Sequence, residues 1–76
     1  MGSFVRPVFH DRCVELRCTA DEVCIYATRD GMRKLAELCL QLAEVPTGTK
    51  TDHLHLDDYD ILTAKSLHGT IAVFDN

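Results

Sequence analysis

Two histidines and an aspartate are the residues whose types and spacing come closest to metal chemistry in this chain. His53 and His55 flank Leu54, and Asp57 follows directly after Leu56. In a strand, side chains alternate between faces with a period of two, so the histidines and Asp57 would share one face. Such a face could bind a metal ion, or it could be the solvent side of a half-buried strand.

The metal hypothesis needs further ligands, because a zinc site takes roughly three or four converging nitrogen, sulfur or oxygen atoms. His53 and His55 supply two of them, and Glu15, Cys24 or Asp57 would complete the set only in a favourable strand order. Any strand with polar outer residues produces the same spacing. We therefore predict no metal and no cofactor, and keep a His53/His55 metal site as the alternative.

An acidic cluster surrounds Tyr59 just after the histidines. It consists of Asp57, Asp58 and Asp60. Its spacing does not follow the calcium-binding loop of EF-hands. An exposed tyrosine among carboxylates suits contact with a basic protein, whereas a simple solvated loop is the plainer interpretation.

The bulk properties indicate one small domain spanning residues 1–76 with a net charge of -4. That charge argues against a nucleic-acid partner, which normally requires a basic stripe. No segment approaches the roughly 18 apolar residues of a membrane span, and no signal peptide is visible. The four cysteines form no CxxC pair, which argues against a zinc knuckle or a thioredoxin-like motif. Because no secretion signal is visible, we predict reduced thiols and a cytoplasmic protein. A core this small would gain from a partner, including a second copy.

Two alternating segments predict a β-hairpin at residues 12–19 and 22–27. A short loop at Ala20-Asp21 places the apolar residues of both strands on one side, with Cys18 opposite Val23, Leu16 opposite Ile25 and Val14 opposite Ala27. The other side then carries Glu15 opposite Tyr26, and Arg17 opposite Cys24.

Residues 29–44 predict the main helix, with apolar positions recurring at helical spacing. Thr28 or Asp30 can cap its start, and Pro46 follows its end. Its apolar side is expected to comprise Met32, Leu35, Ala36, Leu38, Cys39, Leu42 and Ala43, with Leu40 at the margin.

A strand is predicted at residues 70–74, and residues 1–11 are expected to form an edge strand or an arm. The expected fold is thus α+β and two-layered: a mostly antiparallel sheet of four to five strands with the 29–44 helix on one face. On the open face, His53 and His55 would lie with Glu15, Arg17 and Tyr26.

Enzyme activity is not predicted. The chain has no glycine-rich phosphate loop and no serine elbow motif. A Cys24–His55 pair would lack a third orienting group.

The order of these motifs resembles small bacterial immunity proteins of polymorphic toxin systems, specifically immunity protein family 32. The resemblance covers roughly residues 12–74 and rests on Leu35-Ala36, Leu42-Ala43, His53-Leu54-His55-Leu56 and the last apolar strand. It implies a non-enzymatic protein that binds and neutralises a cognate toxin made by neighbouring cells of the same kind. The family leaves the toxin type open, and the acidic charge would suit a basic nuclease.

Physical reasoning alone supplies the candidate contact residues. A structural homodimer that uses the open sheet face or an edge strand is a further alternative. The candidates are His53, His55, Asp57, Asp58, Tyr59, Asp60, Glu15, Arg17 and Tyr26.

Overall fold

The computed structural model describes residues 6–46 and 51–74, which form one long helix and two antiparallel hairpins. In chain order the elements are β1 (Val14–Cys18), β2 (Val23–Ala27), α1 (Arg29–Ala43), β3 (Thr51–His55), a 3-10 turn (Leu56–Tyr59) and β4 (Thr70–Phe74). The α+β class is as predicted. Within the described ranges, no helix has the length and hydropathy needed to cross a membrane. Residues 6–11 contain no strand, and residues 1–5 of the predicted N-terminal segment lie outside the described ranges.

The predicted register of the first hairpin is confirmed at every pair. The pairs are Val14–Ala27, Glu15–Tyr26, Leu16–Ile25, Arg17–Cys24 and Cys18–Val23. Alternation fixes such a register, because a slip by one residue would move the whole apolar set to the other face.

The expectation of one continuous sheet is wrong, since β1 pairs with β2 and β3 pairs separately with β4. The second edge of β1 is occupied by the segment after the 3-10 turn. Val14 forms a parallel bridge to Leu62. The backbone N–H of Leu67 also donates to the carbonyl oxygen of Leu16 at 2.9 Å. The second hairpin therefore has no free edge of β1 to join.

The core lies between β1, α1 and the 3-10 turn. Its buried apolar side chains are Val14, Leu16, Leu38, Leu42, Leu56 and Ile61. Leu56 is the last residue of the alternating stretch that begins in β3, and it is 3% exposed. The end of β3 is thus anchored in the core.

The helix begins as predicted but presents a narrower face to the core. The hydroxyl oxygen of Thr28 accepts a hydrogen bond from the N–H of Gly31 at 3.0 Å, which caps the first turn. The buried residues are Gly31, Leu38 and Leu42. The expected burial of Met32 and Cys39 is wrong, because both are exposed. Ala36 and Ala43, also expected on the core side, are exposed as well.

A glycine in the first turn explains why α1 is rotated so that Leu38 and Leu42, and not Met32 or Cys39, face the core. A Cβ atom at Gly31 would collide with the carbonyl oxygen of Cys13 and lie 3.0 Å from the Cβ of Ala27. The same Cys13 oxygen accepts a hydrogen bond from the N–H of Thr28. The first turn of α1 thus sits directly against the hairpin backbone, and this contact decides which side of the helix faces inward.

Truncating one leucine on each side of α1 tests this orientation. Leu38 is 6% exposed and Leu40 is 60% exposed. Leu38→Ala leaves a cavity in the core, and we expect a loss of about 2–5 kcal/mol in the free energy of unfolding. Leu40→Ala, the matched control, is expected to change it by less than about 0.5 kcal/mol. Urea unfolding of both variants measures the difference, and equal losses would show that the helix is oriented otherwise.

Candidate partner-binding surface

The strand β3 places both histidines on the surface. His53 and His55 are exposed, while Leu54 between them is half-buried against the core. The two imidazole rings meet edge to face with centroids 4.9 Å apart. His55 Nδ1 also shares a hydrogen bond with the hydroxyl oxygen of Thr70 on β4, at 3.0 Å. The pair of strands therefore holds the rings in a defined arrangement.

The acidic residues follow on the 3-10 turn. Because Leu56 is buried, the carboxylates of Asp57, Asp58 and Asp60 and the ring of Tyr59 project outward. Tyr59 is 41% exposed. Asp60 closes the turn with a φ of 57°, a left-handed conformation that aspartate adopts more readily than most residues.

We call this set the histidine–acid surface: His53, His55, Asp57, Asp58, Tyr59 and Asp60. Two of its carboxylates have partners, since Asp57 Oδ2 lies 3.4 Å from His68 Nδ1 and Asp60 Oδ1 lies 3.0 Å from Arg12 Nη1. Within residues 6–46 and 51–74, Asp58 forms no ion pair. Exposed polar contacts of this kind contribute little to stability.

The remaining candidates lie elsewhere in the fold. Glu15 was expected on an open face, and that expectation is wrong, because it is 1% exposed. Its Oε1 accepts a hydrogen bond from the Thr63 hydroxyl, and its Oε2 accepts one from Arg17 Nε, both at 2.5 Å. Residues 61–67 run along the outer edge of β1, and from there the Thr63 side chain reaches Glu15.

Electrostatics keep this buried carboxylate ionised. The hydrogen bond from Thr63 lowers the pKa of Glu15 most, burial opposes it, and Arg17 lowers the pKa further. Lys65 adds a smaller effect in the same direction. The pKa of Glu15 therefore lies below its ordinary value of 4.5.

Tyr26 is half-buried on β2, opposite Glu15 in the hairpin register. Burial raises the pKa of its hydroxyl, and a hydrogen bond with Cys24 raises it further. Tyr26 is therefore neutral at physiological pH and would offer a partner hydrogen bonding rather than charge.

The alternative metal site gains no further ligand from the fold. Among the described residues, no group of three or more His, Cys, Asp or Glu side chains is arranged to hold a metal ion. Glu15, proposed as a third ligand, is engaged by Thr63 and Arg17. His53 and His55 thus stand as a pair.

Sequence reasoning missed the cations and hydroxyls that contact these acids. Arg12 pairs with Asp60, and Thr63 donates to Glu15, across 48 positions of the chain in both cases. No local pattern links residues so far apart. The one available signal was charge, because Glu15 is a carboxylate on the same strand face as Arg17, and a carboxylate that becomes covered needs a donor.

The family model described as Immunity protein 32 matches residues 22–74, which is more than half of the chain. The chain belongs to the immunity protein 32 family. The match confirms the resemblance that the helix and the His-x-His strand suggested. The match begins just before the second strand of the first hairpin, so it covers β2 and every later element, and β1 precedes it. Neither a curated protein nor a solved structure gives a significant match to the chain.

The buried carboxylate makes the stability of this family member depend on pH. Because the folded-state pKa of Glu15 lies below the unfolded value, its contribution is complete above about pH 4.5 and is lost as the pH falls through the folded-state pKa. Glu15→Gln is expected to lower the free energy of unfolding by about 1–3 kcal/mol at pH 7.

The difference between wild type and Glu15→Gln should shrink as the pH falls below 4.5, since the wild-type carboxyl then becomes neutral. Urea unfolding over a pH series measures it. Glu37→Gln, on the exposed side of α1, is the control and should show no comparable difference. A gap between wild type and Glu15→Gln that is constant with pH would contradict the role of the Glu15 charge.

Proposed function

We propose that the chain is a cytoplasmic immunity protein that binds and neutralises a cognate bacterial toxin by covering it, without catalysis. Membership of the immunity protein 32 family supports the general role. The observation that carries the proposal is the histidine–acid surface, which combines exposed carboxylates, two ordered imidazoles and an exposed tyrosine on a turn anchored in the core.

The chemistry of this surface favours a basic toxin. Its three aspartates would meet lysine or arginine side chains, and complementary charge accelerates association as well as fixing orientation. Tyr59 supplies a large amphipathic side chain of the kind that dominates binding energy at interfaces. Leu56 holds the turn from inside, so little conformational freedom is lost on binding. A basic nuclease would fit these properties.

Co-expression with the toxin encoded immediately upstream tests the proposal. Wild type should protect the cells and co-purify with the toxin. The double variant Asp57→Asn/Asp58→Asn should weaken the complex about tenfold or more, because two interfacial charges are lost. Asp21→Asn, which removes an exposed carboxylate in the β1–β2 turn, is the matched control and should bind like wild type. Absence of protection and of any complex would refute the proposed function.

A homodimeric module is a second candidate, favoured by the exposed apolar side chains of β2. Val23 and Ile25 are 73% and 54% exposed, although they lie on the same face of the hairpin as the buried Leu16. Among the described residues β2 pairs with β1 alone, so its outer edge could receive another strand. Light scattering of the chain alone distinguishes the candidates, since a dimer that persists without toxin would favour this one.

A further inference from the structure

A cleft of about 530 Å³ lies where the segment of residues 6–12 meets β1 and residues 63–65. Its charged lining is unusual for this acidic chain. Four cations surround it, namely Arg6, Arg12, Arg17 and Lys65. They are half of the eight lysines and arginines in a chain of net charge -4. Such a concentration of positive charge in a concave site attracts anions.

One of these cations is held in a fixed position. The Nε–H of Arg17 donates to the buried carboxylate of Glu15, whose other oxygen is held by Thr63. A guanidinium carries five N–H donors in a rigid fork, so this bond orients the group and leaves the Nη donors for another acceptor. Carboxylates fit that fork, often through two parallel hydrogen bonds.

The charge balance favours a single negative charge in the cleft. Asp11 and Glu15 also line it, and Asp60 pairs with Arg12 at its border. Against the four cations these three carboxylates leave an excess of one positive charge. One carboxylate would neutralise that excess, whereas a phosphate dianion would exceed it.

The cleft adjoins the histidine–acid surface. Arg12 lines the cleft and forms an ion pair with Asp60, which closes the acidic turn. A protein bound on the histidine–acid surface would therefore extend over the mouth of the cleft. The lining also includes Pro7, Val8 and Ala64, apolar groups suited to the methylene carbons of a side chain.

We propose that this cleft receives the carboxylate of an aspartate or glutamate side chain of the toxin, next to the basic region that contacts the histidine–acid surface. The inference rests on the proposed function and adds a second contact of opposite polarity. Arg6, Arg12 and Arg17 precede the segment that matches the family, so the cleft is a feature of this chain that the family match does not supply. A toxin that must match both the acidic surface and the basic cleft is selected more specifically than one that need match only an acidic patch.

Lys65→Gln is the first test, because Lys65 is exposed and its loss leaves the bonds of Glu15 in place. We expect affinity for the toxin encoded immediately upstream to fall about fivefold to tenfold. Lys34→Gln, which removes an exposed lysine of α1 outside the cleft, should bind within about twofold of wild type. Calorimetry measures both, and urea unfolding verifies that the two variants are equally stable.

The outcomes separate the two proposals. If wild type binds the toxin and Lys65→Gln binds like Lys34→Gln, the cleft inference is overturned while the proposed function stands. If wild type forms no complex, the proposed function fails and the cleft loses its occupant with it.

A second arm examines the chain alone by NMR. The protein is titrated in separate experiments with N-acetyl-glutamate N-methylamide, which carries one side-chain carboxylate, and with inorganic phosphate. The capped glutamate should shift the amide signals of Arg17, Thr63 and Lys65 in wild type. In Lys65→Gln, the concentration that gives half of the maximal shift should be about fivefold higher. Larger shifts of the same signals with phosphate would identify a site for free anions and overturn the proposal.

Discussion

The buried carboxylate of Glu15 is the constraint on which the rest of this structure depends. An ionised side chain that is 1% exposed would be costly without donors on both oxygens. Thr63 supplies one donor from the segment after the 3-10 turn, and Arg17 supplies the other from β1 itself. The segment that carries Thr63 must therefore lie against β1. There it occupies the strand edge that a continuous sheet would have used.

The placement of the proposed binding surface follows from that arrangement. Once residues 61–67 are fixed on β1, the 3-10 turn before them is held at both ends, by Leu56 in the core and by Ile61 beside it. Asp57, Asp58 and Tyr59 have no inward position left and face solvent. The same docking brings Lys65 close to Arg17, which creates the basic cleft beside the acidic turn. One buried charge thus positions two surface regions of opposite polarity.

Sequence patterns predicted the parts of the fold that depend on near neighbours. The hairpin register and the outward histidines of β3 were predicted, and Thr28 was one of two candidate caps, because alternation and capping act over a few residues. The expectation of one continuous sheet was wrong, since the pairing of Val14 with Leu62 depends on residues far apart in the chain. The inward side of α1 was also mispredicted in part, because apolar residues cover most of its circumference and the contact at Gly31 decides the rotation.

Hydrogen–deuterium exchange of the chain with and without the toxin is the sharpest test of the proposed contact surface, because it maps that surface without any substitution. We expect slower exchange across residues 52–60 of β3 and the acidic turn, together with residues 63–67 beside the cleft. Protection confined to β2 and the exposed side of α1, with residues 52–60 unchanged, would contradict the proposed contact surface.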